Sequence, residues 1–341
     1  MSGVAEKGGG SFAGIKLLLC ENPLPPLPEA VAAAQAEVPR SNFYTEPYSA
    51  PLRALISAQL GVPETLLHIN AGSELILRQL FDRFGQQVHL LTPTYPLFPE
   101  IAQRHTATRL SPVDDFAFDL ARWDIPVGTT LAVIVNPNNP NGGVFDMAPL
   151  PALLLRHPDT RFLVDEAFIG LAGESVAALV PRHPNLLVTR TLSKAHSLAG
   201  FRVGYGIFPS EVADDLNRRN DAYPLARASQ AAAIATLQHE DRIRERAVQL
   251  RGWTDALAAE LRALGVRTFP TRTYFFLADF APHDAAAIAR RLAERRILVK
   301  PLADPALGPG FMRVTTATPP DNRRFVDALQ EILADAPRRP L

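Results

Sequence analysis

Residues 189–206 read TRTLSKAHSLAGFRVGYG, and Lys194 stands there with Thr191 and Ser193 before it and Arg202 eight residues after it. A lone lysine is ordinarily a solvated surface residue, so the residue types around it matter. Its amine can condense with an aldehyde, and hydroxyls with an arginine can hold a phosphate. Four other stretches supply complementary groups. Asp165 closes the apolar run Phe162–Val164, where an ionised carboxylate needs a cationic partner. Asn139, in NPNNPNGG, offers a neutral amide beside glycines, and Tyr95, in TPTYP, a flat ring on a turn. Gly72 and Ser73, in NAGSEL, stand where a helix should begin, and its unpaired N–H groups and dipole favour an anion. Gly200 and Gly204 permit a close backbone approach.

These groups converge only if the chain folds as a parallel sheet. Short β-rich runs at 88–93, 130–137, 161–167, 185–191 and 202–208 alternate with helical patterns, the rhythm of an α/β fold with crossover helices. Ligands of such sheets bind beyond the carboxyl ends of the strands, and four of these runs end in TPTYP, NPNNPNGG, VDEAF and TRTLSK. A helix is predicted over 73–85, with Leu75, Ile76, Leu80 and Phe84 on one face and Gly85 as its stop, and another over 148–158. A long helix is expected from 228 to 264. Strands at YFFLADF, ILVKPL and FMRVTTA and helices at DAAAIARRLAERR and DNRRFVDALQEILADA then read as a smaller α+β domain. The expected organisation is a mobile tail over 1–14, a segment 15–40 packing with the small domain, a large domain over 41–230 and the small domain over 231–341.

Composition closes off several alternatives. The 341 residues carry 35 Lys+Arg against 35 Asp+Glu, so no charge excess points to nucleic acid or to an anionic membrane. IKLLLCENP looks like a secretion signal, but Lys16 interrupts an apolar run already too short for one. No run approaches the ~18 apolar residues of a membrane helix. A single cysteine, Cys20, excludes an internal disulfide and fits a reducing cytoplasm. The eight histidines show no metal-binding spacing, so no metal is expected.

An amine, a buried carboxylate, a stacking ring, an amide, an arginine and a helix end together match the needs of pyridoxal 5′-phosphate. The lysine would take the aldehyde, the carboxylate would keep the pyridine nitrogen protonated, and the arginine, hydroxyls and helix end would hold the phosphate. The motifs ENP (21–23), PTY (93–95), NPNNPNG (136–142), VDEAF (164–168), RTLSKAHSLAGFRVGY (190–205) and MRVTTAT (312–318) resemble, in order, those of fold-type I aminotransferases. The closest resemblance is to the histidinol-phosphate aminotransferase branch. It implies a large domain with a mostly parallel central sheet, a small α+β domain, and catalysis by Lys194 and Asp165. It further implies that Asn139 bonds the ring 3′-oxygen and that Tyr95 stacks on the ring. Gly72, Ser73, Thr191, Ser193 and Arg202 would hold the phosphate. Arg313 would clamp the substrate, with Asn22, Lys300 and Tyr274 near it. Tyr44 would reach the phosphate from the other subunit of a homodimer.

The sequence departs from that pattern at several places. Phe168 stands where many relatives place a tyrosine, and a missing hydrogen bond to a partly anionic oxygen is worth roughly 1.5–3 kcal/mol. Lys300 replaces a second arginine, Tyr274 and Cys20 each replace an asparagine, and Asn141 replaces a threonine. His196 has no evident role. The expected activity is ping-pong transamination of histidinol phosphate, or a related amino compound, with a 2-oxo acid such as 2-oxoglutarate. Phe168 brings in decarboxylation of a phosphorylated amino acid as the alternative, and a ligand-sensing domain is a remote third.

Overall fold

The computed structural model describes residues 12–304 and 307–335. Residues 1–11 of the expected tail lie outside them. Among the described residues the chain divides into a smaller unit, 12–24, 140–142 and 246–335, and a larger one, 25–139 and 143–245. The divisions thus fall at 24/25 and 245/246 instead of the expected 40/41 and 230/231. Helix Pro28–Glu37 packs along helix Arg227–Leu237, and Arg227 reaches Glu37 at 2.6 Å, which keeps both in the larger unit. A further pair, Arg242–Glu29 at 2.6 Å, carries the larger unit beyond residue 240.

The first strand, β1 (Ile15–Lys16), belongs to the smaller unit. The larger unit holds β2 (Leu67–Asn70), β3 (Val88–Thr92), β4 (His105–Arg109), β5 (Leu131–Val135), β6 (Arg161–Asp165), β7 (Leu186–Thr191) and β8 (Gly204–Ile207), in the order β2-β8-β7-β6-β5-β3-β4. Neighbours run parallel except β8, which is antiparallel to both β2 and β7. β5 is LAVIV, buried throughout, as a strand covered on both faces must be. Because β8 runs backwards, its first residue, Gly204, pairs with the last residues of β2 and β7, Asn70 and Thr191. One edge of the sheet therefore gathers the ends of β2, β3, β5, β6 and β7 with the start of β8.

Helix Ser73–Phe84 lays Ile76, Leu77, Leu80 and Phe81 on Leu90, Val133, Leu163 and Leu187 of the sheet. Leu75, expected on the buried face, is 43% exposed. Two adjacent residues per turn, 76/77 and 80/81, give the broader stripe that a flat sheet accepts. The single long helix expected over 228–264 is two, Arg227–Leu237 and Glu240–Ala263. The break lies where the His239 ring bonds the Ala235 carbonyl at 2.8 Å. Strands β2 and β4 and the helices Pro28–Glu37 and Ala50–Leu60 carry no expectation from sequence.

The smaller unit contains β9 (Arg267–Thr268), β10 (Phe275–Asp279), β11 (Ile297–Leu298), β12 (Lys300–Pro301) and β13 (Phe311–Thr315). Four of them form an antiparallel sheet, β12-β13-β10-β9, and β1 pairs in parallel with β11. Phe276, Ala278, Met312 and Val314 face a core closed by Leu257 and Leu261, Ile288 and Leu292, and Phe325 and Leu329 from three helices. Asp284 starts one of these helices by accepting from the Ala287 amide at 2.8 Å.

Candidate active site

In the larger unit the end of β2 turns at Gly72 (φ +87°) into helix Ser73–Phe84. A side chain there would meet Arg202 Nη2 at 2.3 Å, and one on Gly204 would meet the Ser73 amide nitrogen at 2.2 Å. These glycines are spaces through which a helix N-terminus and a guanidinium come together. Arg202 has left-handed backbone (φ +53°), reaches the Ala199 carbonyl at 3.4 Å and stands 3.5 Å from Ser193 Oγ. Thr191 Oγ1 donates to Ser193 Oγ at 2.9 Å and receives the Ser193 amide at 3.1 Å. Helix end, hydroxyls and arginine thus lie together, a cradle of donors of the kind that suits an anion.

Lys194 follows on the same loop, half-buried, with Nζ 5.7 Å from the centre of the buried Phe168 ring. Asp165 ends β6 and is buried; its Oδ1 receives the Thr189 hydroxyl at 3.0 Å. Burial pushes this carboxyl up to about 6, with Glu166 adding to the rise. The Thr189 hydroxyl, the Ala167 amide and the Lys194 charge pull it back. A ring nitrogen that shares a proton with Asp165 would gain a carboxylate already desolvated for it. Asn139 is buried at the tip of a loop anchored to β6, since the Asn136 amide donates to the Asp165 carbonyl at 3.0 Å. The loop is tied again by Asn138 Nδ2 to the Pro93 carbonyl at 3.2 Å, beside Tyr95. Tyr95 meets Phe98 edge to face at 5.7 Å.

Tyr44 stands apart from this cradle. Its ring is 77% exposed and stacks on Tyr223 at 4.5 Å. In the smaller unit, Lys300 and Arg313 are direct partners across the β12–β13 ladder. Burial lowers the Lys300 ammonium, and Arg313 lowers it further. Tyr274 is fully buried, and its hydroxyl donates to the Cys20 carbonyl at 2.8 Å instead of making the substrate contact expected for it. Asn22 Oδ1 accepts from the Leu24 amide at 2.9 Å, closing a local turn.

Sequence reading missed the supports. Thr189 shares a face of β7 with Thr191, and strand alternation could have revealed it. Glu166 and Arg190 occupy the alternate positions and pair at 2.8 Å, with Ser175 bonded to both. His196 Nε2 bonds Glu240 Oε1 at 2.8 Å. This ties the lysine loop to the first turn of helix Glu240–Ala263, a partner 44 residues away that no local pattern shows.

Residues 14–329 match the family described as aminotransferase class I and II. The chain belongs to that family. It is 33% identical over 326 residues to histidinol-phosphate aminotransferase 2 of Thiobacillus denitrificans, covering 93% of this chain and 91% of that one. A histidinol-phosphate aminotransferase from Sinorhizobium meliloti in complex with pyridoxal-5′-phosphate has the same fold. Its TM-score is 0.85 at 24% identity, over 94% of this chain and 91% of the other. So has the L-threonine-O-3-phosphate decarboxylase of Porphyromonas gingivalis, at TM-score 0.83 and 21% identity, over 94% and 100%. The protein is a fold-type I, pyridoxal-phosphate-dependent transaminase of the histidinol-phosphate aminotransferase type. The cradle fits that cofactor, because the two glycines leave room where side chains would collide and the surrounding donors suit a phosphate. When bound, the cofactor supplies an aldehyde that takes up amines and a ring that accepts electrons. Among the described residues no group of three or more metal-binding side chains is present, and no helix is long and apolar enough to cross a membrane.

Proposed function

We propose that this aminotransferase moves an amino group between a phosphorylated or otherwise anionic amino compound, histidinol phosphate foremost, and a 2-oxo acid such as 2-oxoglutarate. The observation that carries the reading is the Lys300–Arg313 pair, a half-buried and a buried cation side by side on neighbouring strands. Like charges so placed repel, and an anion shared between them removes the penalty. Arg313 would take a carboxylate or phosphate by a two-pronged contact, and Lys300 would act as a point charge beside it. In the larger unit, Lys194 would carry the substrate proton between carbon atoms. Asp165 would hold the proton on the ring nitrogen, Asn139 would bond the 3′-oxygen, and Tyr95 would cover the ring face. The lone, buried Cys20 suits the cytoplasm.

Phe168 favours a second reading, decarboxylation of a phosphorylated amino acid, because its ring near Lys194 offers no hydroxyl to the 3′-oxygen. Products decide between them. Incubation with histidinol phosphate and 2-oxoglutarate should yield glutamate, and O-phosphothreonine should release no carbon dioxide. Carbon dioxide without amino transfer would replace the first reading by the second.

We further propose a homodimer in which Tyr44 completes the partner's phosphate site. Phe43 and Tyr44, 65% and 77% exposed, form with Tyr48 and Tyr223 an aromatic surface that a second copy would cover.

A further inference from the structure

In the smaller unit, residues 18–20 are held against β10 and β13 at three points. The Leu18 carbonyl accepts from Arg313 Nη2. Two residues on, the Cys20 carbonyl accepts from the Tyr274 hydroxyl at 2.8 Å, and the Cys20 sulfur receives the Thr315 hydroxyl at 3.7 Å. Cys20 has left-handed backbone, φ +49°, which a residue with a Cβ adopts at a cost. Such a conformation persists where its surroundings over-determine it. Here the determinants come from the sheet. Tyr274 immediately precedes β10, its own carbonyl is bonded by the Thr316 amide at 2.8 Å, and Thr315 ends β13 opposite Phe275. Cys20, Tyr274 and Thr315 are each about 1% exposed, so water does not compete for these bonds. Burial also holds the Tyr274 phenol well above its ordinary pKa, which keeps it a donor.

Only one residue separates Leu18 from Cys20, so fixing the Cys20 turn fixes the Leu18 carbonyl. That carbonyl occupies one arm of the Arg313 guanidinium, whose central carbon lies 5.8 Å from the centre of the Phe275 ring. We propose that Tyr274 is a positioning residue for Arg313: its hydroxyl pins the left-handed turn at Cys20 and thereby sets the direction in which the guanidinium meets an anion. The inference rests on the reading of Arg313 as the substrate-anion clamp. A guanidinium oriented beforehand loses less freedom when it binds a carboxylate.

Succinate, an unreactive dicarboxylate, is the probe, titrated calorimetrically into the cofactor-loaded protein well below its melting temperature. Tyr274→Phe removes the hydroxyl and keeps the ring, and it should weaken succinate roughly five- to tenfold, the loss of one neutral hydrogen bond. Cys20→Val makes the left-handed backbone costly, because a β-branched residue resists it, and so loosens the same turn; it should weaken succinate to a similar degree. The double variant should be no weaker than either single one, because both act through one turn. Arg313→Gln should lose succinate binding altogether. Wild-type succinate affinity in Tyr274→Phe, with Arg313→Gln still defective, overturns the pin and leaves the clamp. Undiminished affinity in Arg313→Gln overturns both. If Tyr274→Phe does not fold, wild-type affinity in Cys20→Val overturns the pin on its own.

Discussion

Asp165 is the residue at which burial and catalysis meet. Its carboxyl lies at about 6 in the folded chain against an ordinary 3.8. The folded state therefore binds the proton more tightly than the unfolded state. The stability this contributes is full below about pH 4 and is lost as pH rises through about 6, a decline on the order of 3 kcal/mol. Denaturant unfolding of the cofactor-free protein between pH 4 and 7 should show that decline, and Asp165→Asn should flatten it. An unchanged slope in the variant would place the titration elsewhere. Phe168 makes the second prediction at this scale. Phe168→Tyr restores a donor worth roughly 1.5–3 kcal/mol, so the visible band of the cofactor-loaded protein should titrate about one pH unit lower or more. A midpoint unmoved or raised would separate this ring from the 3′-oxygen.

At the scale of elements, the reversed strand β8 does the assembling. It returns the chain to the edge where β2 and β7 end, so Arg202 arrives beside the N-terminus of helix Ser73–Phe84. The fit is tight enough to test with one carbon. Gly204→Ala would put its Cβ 2.2 Å from the Ser73 amide, and backbone cannot yield as a flexible side chain does. Cofactor affinity, measured by fluorescence quenching, should fall by at least about a hundredfold, roughly 3 kcal/mol. Gly200→Ala, with open space around its Cβ, is the control and should bind normally. The His196–Glu240 bond works at the same scale, coupling the lysine loop to the helix behind it.

For the whole molecule, the question is whether the site is complete within one chain. Lys194→Ala and Tyr44→Phe should each be impaired as homodimers. Mixed and refolded together, they should form hybrids with one intact site, supplied with Lys194 by one chain and Tyr44 by the other. Recovered activity above the sum of the separate proteins supports shared sites. No recovery, with hybrids present by mass, would assign Tyr44 to its own chain.

Much of the fold was legible because β-rich runs and turn-rich strand ends alternate with little ambiguity. Five strands of the main sheet and the helix after Gly72 appear where those runs stand. Less legible were β2 (LHIN) and β4 (HTATR), whose polar letters do not announce a strand. The buried face of helix Ser73–Phe84 also differed by a residue, because a sheet accepts a wider stripe than a single helical ridge presents.

The sequence alone identified the chemical groups: an amine, a carboxylate, an amide, a ring and donors for an anion, each carried by a short motif beside a strand. Residue type and local backbone suffice there, since a strand end or helix start dictates where its own side chains and amides stand. Only the tertiary structure decided what brings them together and what supports them. Thr189 under Asp165, Glu240 behind His196 and Tyr274 over Cys20 are contacts 24, 44 and 254 residues apart in the chain. Hydrogen bonds between buried groups depend on which elements the fold brings side by side, and no local pattern carries that information.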